Sequence, residues 1–306
     1  MIFKHHCLKL HPSIFMKLTG LRVEEFESLT ADILPQFEHA KRQRLSRSTR
    51  QRAEGAGLTT TLNGRDQLLL TVIWLRQYPT HEVLGYLFGV SQPTTGRYLQ
   101  RMLPLLEQAG RDTMRMSDPG RKRRRSLADL LENIPELAVV VDSFEQRVQR
   151  PKRAAERDGW YSGKKRMHTV KSQVLVDSET GRFVAIADSV KGRVSDITLL
   201  KESRALEKLP AGVAGMGDCA YQGAEHFYPL AFHPHKKPRG RDLTEAEIAY
   251  NHAFSQRRII VEMSINRLRR YASLTQMDRQ HRRDHTARVC AVAGLVNRQF
   301  THRMGA

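Results

Sequence analysis

Cysteine is scarce: Cys7, Cys219 and Cys290 are the three in a chain of 306 residues. An odd number at wide spacing suits neither a disulfide framework nor a cysteine-ligated zinc site. A reducing, intracellular setting in the cytoplasm is the expectation. Long apolar runs are also missing. The run around Leu68–Leu75 is far short of the roughly 20 residues a membrane helix needs, so no membrane span is expected. The opening Met1-Ile2-Phe3-Lys4-His5-His6 has no uninterrupted apolar segment leading to a small-residue cleavage site, which argues against secretion. Negative charge is in short supply too. Lys+Arg number 51 against Asp+Glu 32, for a formal net charge of +19 and a pI of about 10.3. Such an excess favours a polyanionic partner, because phosphate contacts release condensed counterions and so supply sequence-independent affinity.

The positive charge is clustered, at Lys41-Arg42-Gln43-Arg44 running on to Arg47, Arg50 and Arg52, and again at Arg121–Arg125. Runs of this kind repel themselves unless something anionic lies alongside. The length exceeds one average domain, and the 40% hydrophobic content suffices for a catalytic-sized core. Two domains are therefore expected: 1–110 helical, 111–130 a basic linker, and 131–306 a second, mixed domain.

In the first domain, the apolar spacing of Leu18, Leu21, Val23, Phe26, Leu29, Ile33 and Leu34 predicts a helix over 18–39 with Thr19 as its N-cap. Residues 40–64 read as a solvated arm, and Gly64 to Tyr78 as a helix ended by Pro79. Thr80 then caps a helix carrying Val83, Leu84, Leu87 and Phe88. Gly89 makes a turn, Val90 fills the core, and Ser91 caps a second helix whose first turn accepts Pro93. Leu99, Met102 and Leu103 give that helix its buried face. Helix, glycine turn and helix over about 80–106 predict a helix-turn-helix, with Gln92, Thr94, Thr95, Arg97, Gln100 and Arg101 on the outer face for phosphates and base edges.

Beyond the linker the texture changes. Leu137–Val141 is a continuous apolar run suited to a strand buried on both faces, and Asp142 closes it. Two further strands, 168–176 and 183–187, are joined by the turn chemistry of 177–181. A helix capped by Ser195 follows, then a strand closed by Asp218, an edge strand near 230–232, and a long helix over about 243–271. This order is that of a ribonuclease H-like α/β domain with a mixed five-stranded sheet, in which the first and fourth strands are parallel neighbours. Asp142 and Asp218 then lie side by side. On the long helix, Arg258, Glu262 and Arg269 share roughly one face, and Val261, Ile265 and Leu268 form another that can pack on the sheet. Two strand-end acids and one helical acid on a basic chain ask for a cation and a polyanion.

Trp160–Gln173, Gly217-Asp218-Cys219-Ala220-Tyr221-Gln222-Gly223 and Arg258–Arg269 resemble motifs of bacterial insertion-sequence transposases with a DDE triad, the insertion-sequence-five family related to the PIF/Harbinger elements. The resemblance spans nearly the whole chain. It implies that Asp142, Asp218 and Glu262 are the catalytic and metal-binding triad. It also implies double-stranded DNA as partner, both terminal inverted repeats and target, with a homodimer acting on it. Arg258 and Arg269 match an arginine and a lysine position of the related helix signature, and Ser255 stands where that signature has tyrosine. The chemistry implied is two-metal phosphoryl transfer with Mg²⁺, or Mn²⁺ in its place, two ions per site. Asp142 would bridge the ions, with Asp218 and Glu262 each holding one.

Lys164, Lys165, Arg166, His168 and Lys171 read as a DNA-facing positive surface, and Asp196, at the start of a helix, as a dipole or cap partner. Tyr221 and Trp160 are read either as core or as platforms for a frayed base. The competing function is a catalytically inactive, transposase-derived DNA-binding protein or repressor.

Overall fold

The computed structural model describes residues 3–46, 61–115, 138–210 and 212–304. Contacts divide the chain into two compact units. One comprises Met1–Thr113, Arg270–Gln276 and Cys290–Ala306, the other Met114–Arg269 and Met277–Val289. The expected boundary gave everything from 131 onward to the second domain, whereas two C-terminal segments belong with the helical unit. Most of the expected linker, including the Arg121–Arg125 run, lies outside the described residues, as do Arg47, Arg50 and Arg52.

The helical unit contains α1 (His5–Leu8), α2 (Pro12–Thr19), α3 (Val23–Leu45), α4 (Gly64–Gln77), α5 (His81–Phe88) and α6 (Gln92–Asp112). α4 is buried on every side from Leu68 to Leu75, as a helix apolar all round must be, and α2, α3 and α6 pack against it. The helix expected over 18–39 is two helices. Gly20 ends α2 with a left-handed φ of +78°, a conformation glycine adopts without Cβ strain. Thr19 is thus the last residue of α2, its hydroxyl donating to the Phe15 carbonyl at 2.7 Å. α3 begins afresh where the Arg22 N–H donates to the Glu25 carboxylate at 2.8 Å. It continues to Leu45, so Lys41–Arg44 are helical rather than part of a loop.

Cys290 onward enters the helical unit through α10 (His285–Met304), which meets α6 at glycines. A Cβ on Gly294 would stand 2.2 Å from the Gly110 Cα, and one on Gly110 would stand 2.3 Å from the Cys290 carbonyl oxygen. The two backbones therefore touch, and Asn297 adds a hydrogen bond to the Thr113 hydroxyl at 3.2 Å. This contact is why the C-terminal segment groups with the N-terminal helices.

The second unit contains β1 (Ala138–Arg147), α7 (Ala154–Trp160), β2 (Tyr161–Ser162), β3 (Met167–Asp177), β4 (Phe183–Ile186), β5 (Val190–Lys191), α8 (Asp196–Ser203), β6 (Ala214–Met216), β7 (Ala231–Phe232) and α9 (Glu245–Leu268). The sheet runs β2-β3-β1-β6-β7, with β4 and β5 also paired to β3. β1 is antiparallel to β3 and parallel to β6, and β6 is parallel to β7. A mixed sheet with helices is the expected ribonuclease H-like α/β arrangement. β2 and β5, two residues each, add to the five expected strands.

One sheet face packs Val139, Val141, Leu175 and Val184 with Leu200 and Leu206. The opposite parity of β1 carries Val140, Asp142, Phe144 and Gln146. α9 packs on β1 and buries Val261, Ile265 and Leu268, as its spacing predicts. Gln146 also receives the first residue of α10, the fully buried His285. His285 Nε2 donates to Gln146 Oε1 at 2.8 Å, which leaves Nδ1 to accept from the Ser189 hydroxyl at 2.8 Å, while the Ser172 hydroxyl lies 2.7 Å from that of Ser189.

Candidate catalytic centre and nucleic-acid interface

The parallel register sets Ala138, Val139 and Val140 opposite Ala214, Gly215 and Met216. Two residues further on, the same register brings Asp142 beside Asp218. Asp142 is half-buried, and its Oδ1 accepts the Ser143 N–H at 2.7 Å. Burial raises its pKa above the usual carboxylate value, and the negative charges of Asp218 and Asp196 push the same way, against the Ser143 N–H and the Arg258 guanidinium. Asp218 caps the short turn after β6, with its Oδ1 accepting the Ala220 N–H at 2.8 Å. Mutually repelling carboxylates with oxygen-only donors are what a hard divalent cation relieves, so these two residues fit such an ion.

Asp196 contributes more than a cap. Ser195 caps α8, its hydroxyl accepting the Thr198 N–H at 3.2 Å, while Asp196 Oδ1 accepts from the Ser143 hydroxyl at 2.6 Å and from Lys171 Nζ at 2.8 Å. Lys171 also donates to the Val194 carbonyl at 2.6 Å and stands 3.9 Å from Glu145. Gln173 donates to the Asp196 carbonyl and to the buried Tyr221 hydroxyl. Burial and then the charges of Asp196, Asp142 and Asp218 raise the Tyr221 pKa. One expectation is corrected here, and one of two open readings is selected. Lys171 is 7% exposed and engaged internally, and Tyr221 belongs to the core rather than to a stacking platform. A lysine set among the apolar residues of β3 was the available signal, since a buried ammonium requires a carboxylate partner.

Glu262 behaves differently. It is exposed on α9, one turn beyond the half-buried Arg258. Among the described residues no three His, Cys, Asp or Glu side chains come close enough to hold one metal ion. Asp142 and Asp218 come together as expected, while α9 brings Arg258, a favourable charge, to act on Asp142. A third carboxylate would add to the repulsion Asp142 already feels.

The helix-turn-helix region forms from local signals. Thr80 Oγ1 accepts the Val83 N–H at 3.3 Å, Gly89 turns with a φ of +67°, and Pro93 sits in the first turn of α6. α6 crosses α5 at Gly85, where a Cβ would stand 2.5 Å from the Val90 carbonyl oxygen and 3.1 Å from Thr95 Oγ1. Thr95 therefore points into the crossing. It is fully buried, its hydroxyl donating to the Ser91 carbonyl at 3.2 Å, which corrects its assignment to the outer face. Val83, one of the apolar residues that mark this helix in the sequence, is 50% exposed. Gln92, Arg97 and Gln100 are exposed, Thr94 and Arg101 half-buried. Burial and the neighbouring Arg44 push the Arg101 pKa down, marking a place where positive charge is crowded.

Residues 141–297 match the family model described as DDE superfamily endonuclease, and residues 60–112 match the helix-turn-helix of DDE superfamily endonuclease. The chain is a member of the DDE superfamily endonucleases. A protein named probable transposase for insertion sequence element IS702, from Microchaete diplosiphon, is 26% identical over 283 residues, covering 90% of this chain and 98% of that relative. No solved structure matches the chain. DDE superfamily endonucleases generally use divalent metal ions, which accords with the paired Asp142 and Asp218. The matched segment begins one residue before Asp142 and contains Asp218, Arg258 and Glu262.

In this DDE superfamily endonuclease, Lys164, Lys165 and Arg166 are exposed in the turn between β2 and β3. His168 is half-buried with its ring edge-on to Tyr161 at 5.6 Å. Arg269 is exposed at the C-cap of α9, where it donates to Asn266 Oδ1. Trp160 is half-buried, with the Arg282 guanidinium 4.4 Å above its ring. Among the described residues no helix is long and apolar enough to cross a membrane.

Proposed function

We propose that the protein is a DNA transposase of the insertion-sequence-five type. It binds the terminal inverted repeats of its insertion sequence, hydrolyses the phosphodiester at the element ends, and joins the freed 3′ ends to target DNA. The observation that carries this reading is the juxtaposition of Asp142 and Asp218 at the parallel β1–β6 pair, in a chain that belongs to an endonuclease superfamily and has a helix-turn-helix. Asp142 and Asp218, joined by Glu262 from α9, would hold two Mg²⁺ or Mn²⁺ ions. When bound, such ions lower the pKa of the attacking water or 3′-hydroxyl and steady the leaving oxygen. The chain's own contribution is positional. β1 and β6 fix the two aspartates in register, the Ser143 N–H orients Asp142, and Arg258 offsets local negative charge. Gln92, Thr94, Arg97, Gln100 and Arg101 of α6 would contact the terminal repeat, with Lys164, Lys165, Arg166, His168, Arg258 and Arg269 on the cleavage side. Two element ends call for two copies, hence a homodimer on DNA.

The test is incubation with labelled DNA bearing the element's ends and Mg²⁺. The wild type nicks at the end. Asp142→Ala, Asp218→Ala and Glu262→Ala each lose cleavage by more than the roughly 10–100-fold typical of residues behind a metal ligand, with binding retained. A wild type that binds the ends without cutting in Mg²⁺ or Mn²⁺ would instead be the repressor. Survival of cleavage in all three variants would refute the triad.

A further inference from the structure

We infer that the loop from His233 to Arg241 is a second DNA-backbone contact surface, built onto the catalytic unit to grip the phosphates that flank the scissile position. The inference rests on the reading that this unit handles DNA. Four cations and no acid occupy His233-Pro234-His235-Lys236-Lys237-Pro238-Arg239-Gly240-Arg241. Its placement is topological. β7 runs parallel to β6, and β6 parallel to β1, so the chain leaves β7 at the sheet end where Asp218 emerges from β6. A strand engaged at Asp142 and Asp218 has this loop as its neighbour.

The loop is held rather than free. The His235 N–H donates to Asn251 Oδ1 at 2.7 Å, and Asn251 Nδ2 returns a hydrogen bond to the His235 carbonyl at 2.9 Å. The His235 ring lies 4.8 Å from that of Tyr250, which in turn lies 5.7 Å from Phe254. All three anchoring residues belong to α9, the helix that carries Arg258 and Glu262. Fixing the loop in advance lowers the ordering cost of an interaction made on binding.

The charges divide in two. Lys237 pairs with Asp242, and Arg241 makes a two-pronged pair with Glu247. Lys236 and Arg239 are exposed and have no ion-pair partner among the described residues. The paired cations shape the loop, and the other two face solvent on the segment that leaves β7 at the sheet end where Asp218 emerges. An ammonium and a guanidinium without base-reading neighbours suit backbone phosphates, which position DNA rather than specify its sequence.

The experiment measures the affinity of the full chain for a labelled random-sequence duplex over a NaCl series. Each lost phosphate contact lowers the slope of log K against log salt by about 0.9, so Lys236→Gln with Arg239→Gln should reduce it by about 1.8. Lys201→Gln with Lys208→Gln removes the same charge from exposed positions in and after α8 and should leave the slope unchanged. Equal reductions in both double variants, or none in the loop variant, would overturn the inference. Salt-independent binding by the wild type would instead overturn the DNA-handling reading beneath it.

Discussion

A charge on a buried strand must bring its counter-ion into the core. Lys171 does so with Asp196 and Glu145, the side chains of Lys171 and Asp196 being 8% and 15% exposed. Removing one partner of such a pair leaves the other uncompensated, at about 3–5 kcal/mol. Lys171→Met should therefore lose stability on that scale in a denaturant titration, whereas Lys171→Met with Asp196→Leu should recover part of the loss. A double variant no more stable than the single would show that the pair is not the dominant interaction. Gly294 is a second residue with little latitude. Gly294→Ala puts a methyl against the Gly110 backbone, 2.2 Å from its Cα, and overpacking of this kind costs about 1–3 kcal/mol. A lower midpoint for the helical unit is the expected outcome, and an unchanged one would mean that α6 and α10 part easily. The glycine constraint is not legible in sequence, since a glycine within a helix announces no neighbour; Lys171 does sit among the apolar residues of β3, but it follows Lys164, Lys165 and Arg166 and so reads as one more surface cation.

At the level of elements, α4, α5, α6, β3, β4, α8 and α9 follow from caps and periodicity, since those signals are local. The departures come where an element meets another. α2 and α3 share one apolar rhythm that Gly20 interrupts, and Thr95 turns inward because α5 approaches closely at Gly85. α10 adds a pH dependence. Burial pushes the His285 pKa from 6.5 down to about 3, so the unfolded chain takes up its proton first. The stability from neutral His285 is full above pH 6.5 and is lost as pH falls from there toward 3. His285→Gln removes that loss. Relative to wild type, its melting temperature should improve steadily between pH 7 and pH 4, and a constant difference would mean that His285 protonates without opening the structure.

For the whole molecule, the grouping of 290–304 with the N-terminal helices changes what truncation can test. Deleting the chain from Cys290 onward should destabilise the helical unit, read as loss of cooperative unfolding of its helices by circular dichroism, because α6 loses its backbone contact at Gly110. Retention of a sharp transition would show that α1–α6 fold without it. Removing residues 1–110 would likewise strand the C-terminal segment, so Arg97→Ala and Gln100→Ala are the cleaner test of the helix-turn-helix. These variants should narrow the preference for element ends over random duplex, each lost base contact reducing discrimination by about 1–3 kcal/mol. The preference is measured by competition binding, and an unaltered ratio would remove α6 from the recognition surface.

Composition, spacing and turn chemistry by themselves determined the basic, two-part character of the chain, the order of its principal elements, and the pairing of Asp142 with Asp218, because each depends on neighbours within a few residues or on a strand order with few alternatives. Only the tertiary structure decided that Lys171 and Thr95 are internal, that Asp196 joins the electrostatic neighbourhood of Asp142, that Arg258 precedes Glu262 in reaching it, and that the C-terminal helix belongs partly to the first unit. These outcomes depend on which surfaces exclude water from one another, and that is a property of contacts between residues far apart in the chain.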